Sequence, residues 1–135
     1  MGEPFVTTQR LRFCDTDQVG HVNNAVYAVM CEAGRAELGL ACGLIAPEQG
    51  WTLVIARLEL DFLREMNWPG EVRIETGVAR LGTKSFTLRQ RLLQDGAETA
   101  RALTVLAVLD IATRRALALR EAWRAALAPY VVAAE

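Results

Sequence analysis

The sequence predicts an α+β fold with one long helix packed on a mostly antiparallel sheet of five strands. Three observations predict it. A strand-like segment opens the chain, a single long helical pattern follows, and four strand-like runs joined by short turns complete it. Connections that short favour antiparallel neighbours.

The first strand is expected over residues 4–13. Phe5, Thr7, Gln9, Leu11 and Phe13 would share one face, and Val6, Thr8, Arg10 and Arg12 the other. The polar insert DTDQVGHVNN follows. From Asn24 to about Leu40 the apolar spacing turns helical. Val26, Met30, Ala33 and Glu37 trace one row, and Val29, Ala33, Ala36 and Leu40 a neighbouring one. So broad an apolar arc suits a helix mostly enclosed by other elements. Asn23 is placed to cap it, and Gly39 or Gly43 to end it. Gly34 lies inside it at a cost of roughly 1 kcal/mol against alanine, which a close approach of helix to sheet would justify.

After a loop at Pro47–Gly50 come strands over Trp51–Met66, Glu71–Arg80, Ser85–Gln94 and Glu98–Ile111. Gly82-Thr83, Asp95-Gly96 and Pro69-Gly70 mark the turns between them. The order reads as four strands in a meander. The first run is long for one flat strand and is expected to carry a bulge. Residues 120–128 read as a short terminal helix. No repeat, linker or composition shift divides residues 1–135, so one domain is expected. A sheet with open edges is naturally completed by a second subunit.

Composition narrows the function. Lys plus Arg number 15 and Asp plus Glu 16. That balance, with a pI near 5.9, lacks the basic excess of a nucleic-acid binder. No apolar run reaches membrane-spanning length, and the opening residues lack a signal core. Cys14, Cys31 and Cys42 show no CxxC spacing and read as reduced thiols of a cytoplasmic protein. One histidine and three scattered cysteines give no metal-ligand spacing. No nucleophile elbow or phosphate loop is present.

The chemistry sits in Asp15-Thr16-Asp17-Gln18-Val19-Gly20-His21-Val22-Asn23-Asn24-Ala25-Val26-Tyr27. A polar loop with two carboxylates and the chain's single histidine leads into the first turn of the helix. Unpaired N–H groups there can polarise a carbonyl oxygen. A carboxylate just upstream can attack that carbonyl or activate water. The same residues also admit a structural reading: Asp15 or Asp17 as turn and cap acceptors, His21 as a satisfied structural histidine, the asparagines as caps and Tyr27 as core.

This segment resembles the active-site motif of the 4-hydroxybenzoyl-CoA thioesterase-like family of hotdog-fold proteins. There an Asp-x-Asp-x-x-Gly stretch precedes the helix and the second Asp, here Asp17, is catalytic. The His-Val-Asn-Asn-x-x-Tyr ending is similar to the long-chain and broad acyl-CoA branch. WTLVIARLELDFLREMNWPGEVRIET resembles the family's second and third strands, and Lys84-Ser85-Phe86 a stretch that approaches the CoA phosphates. The resemblance implies a sheet wrapped around a central helix and hydrolysis of an acyl-CoA thioester without metal or cofactor. It implies Asp17 as nucleophile or general base and the Asn24 N–H on the thioester oxygen. His21, Asn23, Tyr27, Lys84 and Ser85 would bind substrate. It also implies a homodimer or homotetramer. Asn23 and Asn24 replace the aromatic residues of the aromatic-substrate branch, and Gly82-Thr83 stands where a basic pair is expected. The acyl group is therefore open. Hydration or dehydration of an acyl thioester and non-catalytic acyl-CoA binding are the alternatives.

Overall fold

The computed structural model describes residues 2–46 and 49–133. Pro47 and Glu48 of the expected loop lie outside the described residues. Five strands form one sheet: β1 (Phe5–Arg10), β2 (Trp51–Phe62), β3 (Glu71–Leu81), β4 (Ser85–Gln94) and β5 (Ala97–Asp110). Helix α1 (Asn24–Ala41) precedes β2, and a short α2 (Glu121–Leu127) follows β5. Strand order is β1-β3-β4-β5-β2 and every pairing is antiparallel.

The meander expected for all four later strands holds only for β3-β4-β5. β2 pairs with β5, not β3, so the chain crosses from one edge of the sheet to the other side of its centre. β2 also stops at Phe62 rather than at Met66. There the N–H groups of Leu63 and Arg64 both turn to the Thr99 carbonyl, which ends the ladder and starts the crossover. The expected bulge in β2 falls between Ile55 and Arg57.

β1 alternates as its sequence does, with Phe5, Thr7 and Gln9 half-buried and Val6, Thr8 and Arg10 exposed. Leu11 continues the inward face. Phe13 departs from it. A 3-10 turn over Phe13–Asp15 takes it out of the strand, where it is 72% exposed against Trp68.

Asn23 caps α1 by accepting from the Ala25 N–H at 2.9 Å. Cys42 closes the other end, followed by Gly43 at φ 78°. The buried face runs through Tyr27, Met30, Cys31, Gly34, Arg35, Leu38 and Gly39. The expected row through Val29 and Leu40 faces outward instead, at 52% and 60% exposed. Helix and sheet meet closely at Gly34. A Cβ there would lie 2.6 Å from Ile74 Cγ2, 2.9 Å from Gln90 Nε2 and 3.0 Å from Thr76 Oγ1. Gln90 bonds across this seam. Its Nε2 donates to the Cys31 carbonyl and to Thr76 Oγ1, while its Oε1 accepts from Arg35. Two apolar clusters complete the interior. One lies between the first half of α1 and β3–β5, the other between the C-terminal half, Trp123 and Leu127.

Candidate active site

The loop between β1 and α1 is held as a ring. Thr16 and Val22 form an antiparallel bridge, and the Asn23 N–H donates to the Asp15 carbonyl at 2.8 Å. The two carboxylates inside this ring differ in environment. Asp15 is buried, and its oxygens accept from the Arg12 backbone N–H at 2.7 Å and guanidinium at 3.1 Å. It is a structural anchor. Asp17 is exposed. Its Oδ1 accepts from the Val19 N–H at 2.9 Å and the His21 N–H at 3.2 Å. Its Oδ2 takes no hydrogen bond among the described residues.

Asp17 opens onto a cleft of about 320 Å³ lined by Asp17, His21, Val22, Asn24, Tyr27 and residues 62–65. Four of the sequence-predicted residues, Asp17, His21, Asn24 and Tyr27, thus meet in one place. Asn24 is the first residue of α1, and its N–H has no acceptor among the described residues. That leaves a helix-start donor available to a ligand. Asn23 serves the cap and does not line the cleft.

Tyr27 is buried beneath the cleft. Its hydroxyl donates to the Arg64 carbonyl at 3.0 Å and accepts from the Met66 N–H at 2.9 Å. Its ring meets Phe62 edge-on at 5.1 Å. Burial is the main cause of its raised hydroxyl pKa, opposed by the Met66 N–H and helped by Glu65. The hydroxyl is therefore a brace that fixes the crossover. The crossover forms a wall of the site that the sequence does not announce: Phe62, Leu63, Arg64 and Glu65 fall inside the strand expected over Trp51–Met66. Glu65 Oε2 lies 2.8 Å from His21 Nε2. The one available signal was the run of polar residues Arg64-Glu65 interrupting an alternating strand.

Lys84 and Ser85 are not at this cleft. Lys84 is exposed in the β3–β4 turn, and Ser85 begins β4. Ser85 pairs with Ala107, which pairs with Val54; the cleft end of the sheet is marked by Leu92, Ala100 and Phe62. Seven residues of strand, about 23 Å, separate the two levels within one chain. Among the described residues no group of three or more His, Cys, Asp or Glu could hold a metal ion.

Residues 11–129 match the family described as the Thioesterase-like superfamily. The chain belongs to that family. Among solved structures it is similar to a predicted thioesterase from Bacillus stearothermophilus. That likeness has TM-score 0.89 and 30% identity, covering 97% of this chain and 98% of the other. It is also similar to a thioesterase from Thermus thermophilus solved with coenzyme A and zinc. There the TM-score is 0.81 and the identity 32%, over 93% and 92% of the two chains. A 1,4-dihydroxy-2-naphthoyl-CoA thioesterase from Synechocystis shares the fold at TM-score 0.82 and 17% identity, over 92% and 95%. A curated relative, the uncharacterized protein YsmA of Bacillus subtilis, is 27% identical over 84 residues, 62% of this chain. The match spans 57% of that relative's length.

Proposed function

We propose that this chain is a hotdog-fold acyl-CoA thioesterase in which Asp17 is the catalytic carboxylate. The observation that carries the reading is the pairing, in one cleft, of an exposed carboxylate with an uncommitted Oδ2 and the unpaired N–H of Asn24. The thioester carbonyl oxygen would sit on the Asn24 N–H, where the start of α1 offsets developing negative charge. Asp17 would then attack the carbonyl carbon or draw a proton from the attacking water. The two backbone donors on Oδ1 aim the carboxylate and leave Oδ2 for the chemistry. His21 shapes the entrance, Tyr27 holds the floor, and Asn23 acts only through the cap that fixes the start of α1. Family membership and the CoA-bound neighbour support an acyl-CoA as the substrate class.

In this reading the working unit is a homo-oligomer, a dimer at least, of one hotdog domain per chain with the sheet wrapped around α1. Lys84 and Ser85 lie at the far end of their own sheet, so they serve an Asp17 cleft only from a second copy. There they would meet the CoA phosphates. The reaction draws on water, a carboxylate and backbone donors, and calls for no metal or cofactor.

The test is release of free thiol from a panel of acyl-CoAs of aliphatic and aromatic acyl groups, by the wild type and Asp17→Asn. Steady release that Asp17→Asn abolishes supports the reading. Binding without release would make the chain a carrier, and conversion of an enoyl thioester without release would make it a hydratase.

A further inference from the structure

Thioester hydrolysis has two proton tasks. One proton leaves the attacking water, and one must reach the departing sulfur. An alkyl thiol has a pKa of roughly 8–9, so its thiolate leaves more readily when a proton is supplied. The cleft holds five titratable side chains: Asp17, His21, Tyr27, Arg64 and Glu65. Asp17 takes the first task in the reading above, on which this inference rests. Tyr27 cannot take the second, because its hydroxyl is buried and committed at both ends to the backbone of Arg64 and Met66. Arg64 does not release its proton in water. His21 remains, and an imidazole is the side chain most often used to pass a proton to or from a reacting group.

Its setting is built rather than incidental. The His21 backbone is fixed on both sides, its N–H on Asp17 Oδ1 and its carbonyl accepting from the Asp17 N–H at 2.8 Å. It also forms an isolated bridge with Asn67. The ring is fixed at Nε2 by Glu65 Oε2 at 2.8 Å. Glu65 in turn lies between Arg64 and Met66, the two residues clamped by the Tyr27 hydroxyl. Nδ1 has no partner among the described residues. With 43% of its side chain exposed, His21 is open to a ligand in the cleft.

We propose that His21, oriented at Nε2 by Glu65, is a further catalytic residue that delivers its Nδ1 proton to the departing thiolate sulfur. The steps balance. Water oxygen bonds to the carbonyl carbon and its proton passes to Asp17. The adduct collapses, the C–S bond breaks, and the sulfur keeps the electron pair and takes the proton from the imidazolium. Asp17 then returns its proton to His21. The sum is thioester plus water giving carboxylic acid plus thiol. Glu65 is a positioning residue, because it acts through the ring.

The experiment compares two thioesters of one acyl group, the CoA ester and a thiophenyl ester, whose aryl thiolate leaves without help. His21→Gln is expected to lose on the order of 10²-fold in kcat on the CoA ester and little on the thiophenyl ester. Glu65→Gln is expected to show the same selectivity with a smaller loss. His21 is 43% and Glu65 58% exposed at the side chain, and neither belongs to the core, so thermal melting should match the wild type. Equal losses on the two esters, or no loss in His21→Gln, would overturn the proposal. A wild type that releases thiol from neither ester removes the thioesterase reading itself, and this proposal with it.

Discussion

At the scale of single residues, the two aspartates of one loop separate into an exposed carboxylate, the catalytic group of the proposed reading, and a buried anchor. Asp17→Asn keeps the shape and both backbone hydrogen bonds to Oδ1, while removing the charge. A rate loss on the order of 10² to 10⁴ is expected, with an unchanged melting temperature, both read on the same preparation. Asp15→Ala acts on the fold instead. It strips a buried acceptor from the 3-10 turn and should lower stability by about 1–3 kcal/mol, seen as an earlier urea midpoint. The cysteines divide in the same way. Burial pushes the Cys31 thiol up to about 11 and raises that of Cys42, so both stay protonated at neutral pH, while Cys14 is exposed. A disulfide reagent should titrate one thiol quickly in the native protein and all three in denaturant. Three fast native thiols would refute the buried placement.

At the scale of elements, the α1 seam and the crossover carry the site. Gly34→Ala raises helix propensity by roughly 1 kcal/mol. Its Cβ would nevertheless press on Ile74, Thr76 and the Gln90 amide, and overpacking of that kind costs typically 1–3 kcal/mol. A lower urea midpoint is expected; a higher one would mean the seam yields freely. Tyr27→Phe leaves the buried Met66 N–H without its acceptor and frees the Arg64 carbonyl. It should cost about 1–3 kcal/mol and lower turnover by loosening the wall that holds Glu65. Much of this was legible in the residues. The capping Asn23, the packed Gly34, the bulge in β2 and the loop bearing Asp17 all follow from local pattern. The pairing of β2 with β5 was not, because Pro69-Gly70 marks a turn without saying which strand lies beside the next. Nor was the outward face of α1. Val29 and Leu40 are apolar like the residues of the buried row, and hydropathy does not say which side the sheet covers.

At the scale of the whole molecule, the described chain leaves an apolar strip uncovered. Ile55, Leu58, Phe62 and Leu63 on and beside the edge strand β2 are exposed, as is Val29 on α1. In the proposed reading a second copy of the chain covers this strip, because the proposed site requires one. Sedimentation of the wild type should show at least twice the 14.9 kDa chain mass. Leu58→Glu should shift it to the single chain and cut thioester turnover at least tenfold. A monomeric, fully active wild type would refute the shared site. The ring that joins Asp15 to Asn23 and Thr16 to Val22 has a practical corollary for anyone redesigning the chain. It works as a splint of fixed length, setting the spacing between the Asp17 carboxylate and the first turn of the helix, so an inserted or deleted residue there would move that carboxylate and the Asn24 N–H apart together with the fold. Diversity aimed at new acyl groups belongs instead on the opposite wall, at Phe62 and Leu63, whose side chains line the cleft without carrying any part of that splint.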